Sequence, residues 1–257
     1  VVALSTAPAA DWRLAVVLLV LGVAAVLVSR AGRLPVAREQ ALAAVRAVLQ
    51  LAAVSAVIAL VLRSTPWSIG FVLLMFAVAT FTATRRLGVP LDQLGWVGLA
   101  VAAGAAPVVV LVLATGVIPF NGPGLLPMSG ILIGGAMTAA TLTGRRALQE
   151  LRAHVGTYEA ARALGFSGPE AIRLVVEPSS GDGLMPGIDQ TRTVGLVTLP
   201  GAYVGVLLGG GSAVDAGAAQ ILVLVGLLAV QASTAATLLR LVAVRRVLPL
   251  ELGGLAR

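Results

Sequence analysis

The residues equipped for chemistry are few, and most of them crowd into one stretch. Between Gly144 and Arg192 lie the only histidine, His154, six arginines, and the carboxylates Glu150, Glu159, Glu170, Glu177, Asp182 and Asp189. A metal centre needs several converging ligands, and His154 stands without partner ligands, so it reads as a solvated helix residue. Asp182, Asp189 and Glu177 attract a cation only weakly; pairing with Arg173 and Arg192, or with arginines of a partner, is their ordinary use. The chain has no cysteine and no lysine, and its 18 basic residues are all arginine. A phosphate-binding GxxxxGK[ST] loop depends on its lysine, so any ATP-driven role must take its engine from another polypeptide. No nucleophile and base share a hydrophobic segment, which argues against an intramembrane enzyme. The chemistry left to this stretch is that of a charged surface offered to a soluble partner.

The elements around it are built for lipid. Hydrophobic residues make up 58% of the 257, charged residues 11%, and the mean hydropathy is +1.01; a soluble domain would carry about a quarter charged residues. The class is therefore an all-α polytopic membrane protein, one transmembrane domain over 1–257 with a cytoplasmic loop at about 144–192. Seven apolar segments approach the ~20 residues a bilayer core requires: Leu14–Ser29, Leu42–Leu62, Trp67–Ala83, Trp96–Ile118, Met128–Thr143, Val194–Leu208 and Ala218–Leu239. Alternate connections hold 16 of the 18 arginines, leaving only Arg13 and Arg63 on the other face. The positive-inside rule then puts the N-terminus outside and the C-terminus in the cytoplasm. Placed between hydrophobic spans, the arginines reflect this bias and not nucleic-acid binding. The basic cluster follows the first apolar run, the reverse of a secretory leader.

Within the loop, helix is expected to continue out of the fifth span to about Leu164, because Ala, Leu, Arg and Glu dominate there. Gly165 is placed as its stop. Ser167 and Glu170 have the spacing of a capping box, with Pro169 in the first turn. The second helix runs through Val176 with Ala171, Ile172, Val175 and Val176 as its apolar face, and Pro178 to Gly183 ends it. The result is a helical elbow outside the membrane.

In the spans, Arg46 and Gln50 share one face of the second helix, where Gln50 either packs helices or lines a path. The fifth carries Gly130, Gly134, Thr138 and Thr141, a pattern suited to close helix packing. The seventh offers Gln220, Gln231, Ser233, Thr234 and Thr237. Pro200-Gly201 should kink or break the sixth helix, and Gly201, Gly205 and Gly209 repeat at close-packing intervals. Two readings stand: a structural kink, or a hinge beside a translocation path with Thr198 and Tyr203 near the cargo.

Glu159-Ala160-Ala161, with Gly165 four positions on and Pro178 thirteen further, resembles the EAA-xxx-G coupling element of ABC-transporter permeases. Val175 and Pro178 stand at its closing positions, and Glu177 departs from its usual leucine. Arg192-Thr193-Val194-Gly195-Leu196-Val197-Thr198-Leu199-Pro200-Gly201 resembles the signature of the FetB-type permease family. That family includes bacterial proteins assigned to iron export and plant half-transporters involved in aluminium tolerance. The similarity takes in Arg46 to Leu51, the loop and the last span, and departs at Ala202-Tyr203-Val204-Gly205.

The resemblance implies a cell-membrane permease acting as a homodimer with a cytoplasmic ABC ATPase. ATP and Mg would be bound on that partner, leaving this chain no cofactor of its own and no catalytic or metal-binding residue. Tyr158, Glu159, Ala160, Ala161, Arg162, Gly165, Phe166 and Pro178 would meet the ATPase. Gln50, Thr198, Pro200, Gly201, Tyr203 and Gly205 would form the hinge and path. The implied activity is ATP-driven export of a metal ion or small metal-associated solute. The alternative is an ATP-independent transporter or channel, which would call for inverted repeats and intramembrane ionisable groups.

Overall fold

A computed structural model describes residues 11–256, apart from the side chains of Gly253, Leu255 and Ala256. Its elements are helical, and they fall into two compact units, residues 1–63 and 64–257. Among the described residues, six helices are long and apolar enough to cross a membrane.

The first unit is a helical hairpin of α1 (Trp12–Ala31) and α2 (Ala37–Val61). Asp11 caps α1 by accepting from the Leu14 amide at 3.1 Å. The turn is closed by the Leu34 amide on the Ser29 carbonyl and by Ser29 Oγ donating to Gln40 Oε1 at 2.7 Å. Nearly all its large apolar side chains are exposed, as a lipid-facing hairpin requires.

The second unit begins with α3 (Thr65–Leu87), stopped by Gly88 in the left-handed region. After a short turn come α4 (Leu94–Ala114) and α5 (Gly122–Ala153). Asn121 caps α5, accepting from the Gly124 amide at 2.9 Å. The fifth helix therefore starts six residues before the expected Met128 and runs ten past the expected Thr143. Helix α5 is the hub, packed against α3, α4 and the last long helix, α10 (Ala213–Ala243). Leu132, Ala136, Ala140, Leu148 and Leu151 fill the shared core with Val97, Val101, Val230 and Leu238.

Three short helices precede α10: α6 (Val155–Ala163), α7 (Gly168–Val176) and α8 (Met185–Thr193). A fourth, α9 (Gly201–Leu208), completes the set. Two expectations change here. Helix does not run unbroken to Leu164, because at His154 the backbone turns (φ −123°, ψ 37°) and α6 starts afresh. The expected sixth span over Val194–Leu208 is not one helix either. Residues 194–200 form a non-helical turn, with Gly195 at φ 81° and its amide bonded to the Thr198 carbonyl at 2.9 Å. Pro200 explains the position of the break, since its ring forces the preceding residue toward extended backbone. It becomes the cap of α9 at φ −69°, ψ 160°.

Beyond α10, residues 244–252 fold back as a strap. Gln93 grips it at both groups of one residue, donating to the Leu248 carbonyl and accepting from the Leu248 amide, each at 2.9 Å. Arg246 lies 4.9 Å from the ring centre of Trp96, and Arg152 pairs with Glu251.

Candidate functional site: a pinned elbow and a broken traverse

The elbow is α6, a tight turn and α7. Helix α6 ends in a Schellman motif: the Phe166 amide bonds the Ala161 carbonyl and the Gly165 amide the Arg162 carbonyl, both at 3.1 Å. Gly165 takes φ 93°, where a side chain would be strained. The capping box is formed as the spacing predicts, with Glu170 accepting from the Ser167 amide at 2.8 Å and Ser167 Oγ from the Glu170 amide at 3.4 Å. Hydrogen bonding to the carboxylate from the Ser167 hydroxyl first, and from the Ser167 amide second, holds the Glu170 carboxyl below its ordinary range. Ala171, Ile172, Val175 and Val176 are all buried. Arg162 crosses the turn to donate to the Phe166 carbonyl at 2.7 Å.

Arg245, just past α10, pins this elbow. Its Nη2 donates to Tyr158 Oη at 3.1 Å, and its guanidinium lies so close to Gly168 that a Cβ there would overlap it. The contact needs a backbone with φ 61° at Arg245, uncommon for a side-chain-bearing residue. Nothing in the local sequence marks Arg245 for this role. Of the expected coupling residues, Tyr158 and Ala161 are buried anchors, while Glu159, Ala160, Arg162, Gly165, Phe166 and Pro178 are exposed. Leu164, 80% exposed, and Phe166 leave an apolar tip at the turn, and Leu174 is exposed on α7.

The second region runs from residue 182 to 208. Gly183 abuts Thr143, ten residues before the end of α5; a Cβ would come 2.8 Å from Thr143 Cα. Gly187 abuts the Gln231 amide group, and the Tyr203 amide donates to Gln220 Oε1 at 3.3 Å. From Gln231 to Gln220 is eleven residues of α10, about 16 Å along its axis. The chain therefore climbs antiparallel to α10 as two short helices with an irregular turn between them. A crevice of about 220 Å³ opens where α8 meets α5 and α10, bordered by Gly134, Thr138, Gly187, Gln190, Leu227 and Gln231. Gln190 is absent from the sequence reading, because no hydrophobic span was placed over α8.

Thr198 and Pro200 sit in or beside the turn, and Gly201, Tyr203 and Gly205 follow in α9. The glycine stripe expected there does not pack against this chain: a Cβ at Gly201 or Gly205 meets nothing within 4 Å, and one at Gly209 meets only carbonyls of its own turn. Gln50 belongs to the hairpin unit and is exposed on α2.

Residues 11–247 match the family described as "Uncharacterised protein family (UPF0014)". The chain belongs to the UPF0014 family. Among its UPF0014 relatives is "UPF0014 membrane protein STAR2" of Oryza sativa subsp. japonica, 33% identical over 78% of this chain and 71% of that one. "Protein ALUMINUM SENSITIVE 3" of Arabidopsis thaliana is 31% identical over 80% and 76%. "Probable iron export permease protein FetB" of Escherichia coli strain K12 is 26% identical over 80% of both chains. No solved structure matches. The chain is thus a multi-pass membrane protein.

Proposed function

We propose that this UPF0014 chain is the membrane subunit of an ABC exporter, driven by a separate ATPase that grips the elbow. One observation carries the reading. The elbow is a preformed body pinned by Arg245 to the end of α10, and α10 is the helix along which the broken traverse climbs. Force applied at the apolar tip of Leu164 and Phe166 reaches the crevice through packed helices, the kind of two-arrangement element that switching requires.

The turn at 194–200 supports the same reading. Leu196, Val197 and Leu199 are exposed there at 91%, 76% and 61%. Irregular backbone at membrane depth is tolerated only against protein or a watery cavity. A homodimer enclosing a central path supplies both, with the traverse as the seventh crossing and the C-terminus in the cytoplasm. The crevice presents amides and a hydroxyl from Gln190, Gln231 and Thr138, groups suited to the oxygens of a hydrated or complexed metal. Export of such a cargo rests on the printed name of the FetB relative.

The test is reconstitution. Membranes carrying the chain should retain a soluble ABC ATPase on purification, and vesicles holding both should move iron only with ATP. Glu159→Arg should release the ATPase while leaving insertion intact. Transport at full rate by the chain alone would end the proposal and favour an ATP-independent carrier.

A further inference from the structure

A cleft of about 440 Å³ lies between the elbow and the cytoplasmic end of α10, apart from the crevice above. It is lined by Arg173, Val176, Glu177 and Ser180 on one side and by Ala236, Leu239 and Arg240 on the other. Neither guanidinium reaches a carboxylate among the described residues. The nearest candidate in sequence for Arg173 is Glu170, whose carboxylate is engaged by the Ser167 amide. Glu177 stands at the rim without an ion pair to either arginine, so the cleft holds a net positive charge. The Ser180 hydroxyl is turned back onto the Glu177 carbonyl at 2.7 Å.

Depth identifies what such a cleft would hold. Ala216 to Leu239 is an uncharged run of 24 residues, about 36 Å of helix against a hydrocarbon core of about 30 Å. Arg240 is the first charge after it and therefore lies at the headgroup level. Two forked cations stand over a wall of Val176, Ala236 and Leu239. That combination matches a phosphate above an acyl chain better than a free anion, which has no use for the apolar wall. Basic pockets between helices on the cytoplasmic face are recurrent sites for anionic lipid headgroups.

We infer that this cleft binds the phosphodiester headgroup of an anionic phospholipid, which bridges the elbow helix α7 to α10. The lipid would brace the elbow from the membrane side, opposite the Arg245 pin. Glu177 sets the strength of the bridge by opposing the phosphate.

The test compares lipid retention by the full chain extracted from nanodiscs of mixed phosphatidylglycerol and phosphatidylcholine, read by native mass spectrometry. The wild-type chain should prefer phosphatidylglycerol. Arg173→Gln and Arg240→Gln should each lower that preference about fivefold, and the double variant should abolish it. Glu177→Gln should raise it. All three side chains are exposed, so the variants should insert and fold as the wild type does. An unchanged preference in the double variant would overturn the inference. So would an equal loss from Arg85→Gln with Arg86→Gln, which would leave only the general attraction of a basic face. Inorganic phosphate displacing the lipid at equal concentration would make this a soluble-anion site instead, and would equally overturn it.

Discussion

In the elbow the turn between α6 and α7 is closed by specific groups: Gly165 in the left-handed region, the Ser167–Glu170 box, and Arg245 laid against Gly168. Between Thr193 and Gly201 the opposite holds. No side chain caps α8 or α9, and the turn between them leaves its apolar side chains uncovered. The first region is finished within one chain, and the second awaits something else. A body that transmits force should be stiff before its partner arrives, and a segment that lines a path should have more than one arrangement available. Under the proposed function, the elbow suits the first of these roles and the traverse the second.

Substitutions can break or sharpen this contrast. The largest effect is expected where the traverse is anchored. Gly183→Val drives a branched side chain into the Thr143 backbone and should cost about 1–3 kcal/mol, read as a lower midpoint of thermal unfolding in detergent. A wild-type midpoint would mean that the traverse is not anchored at α5. Next is Gly165→Val, which has open space but the wrong backbone at φ 93° and should cost about 1–2 kcal/mol. Because Asn tolerates that region, Gly165→Asn should restore most of the stability and of the ATPase retention. Equal damage from both would point to contact with the partner instead of turn geometry.

Ser167→Ala removes a cap and should cost about 1 kcal/mol of elbow stability. It also sets a pH dependence. The Glu170 carboxyl is held below its ordinary value in the folded chain, so its contribution is complete above the usual glutamate range. That contribution is lost as pH falls through the lowered value. The protection factors of the α7 amides, taken relative to the intrinsic exchange rate at each pH, should fall on acidification in the wild type and show a weaker pH response in Ser167→Ala. The smallest stability change, within about 0.5 kcal/mol, is expected for Pro200→Ala, which frees Leu199 from extended backbone. Transport should change several-fold all the same. A Pro200→Ala protein with wild-type transport would remove the hinge from the path.

The elbow was legible in the sequence because its signals are local. A capping box, a helix-stopping glycine and an apolar face on α7 all lie within a few residues of one another, and each formed as the spacing implies. The traverse was half legible. Pro200 marked the break, but hydropathy alone drew the sixth span from Val194 and missed α8, whose polar sequence MPGIDQTRT does not resemble a membrane helix. Its place against α5 and α10 depends on Gly183 and Gly187 lying flat on Thr143 and Gln231, contacts between residues far apart in the chain. The Arg245 pin was invisible for the same reason, being separated from Tyr158 by 87 positions. The His154 break has a local signal in Val155, Gly156 and Thr157, weak helix formers, but the helix-forming residues that dominate the rest of the stretch outweigh it.

Helix α5 runs for 32 residues, about 48 Å, while the hydrocarbon core takes about 30 Å. With its outer end near the far boundary, the inner end stands about 33 Å from the midplane. A five-degree rocking about the midplane would swing that end by about 3 Å, close to the width of a water molecule. A rod of that length would act as a lever arm, turning a slight tilt among lipid tails into a displacement large enough to admit or expel solvent.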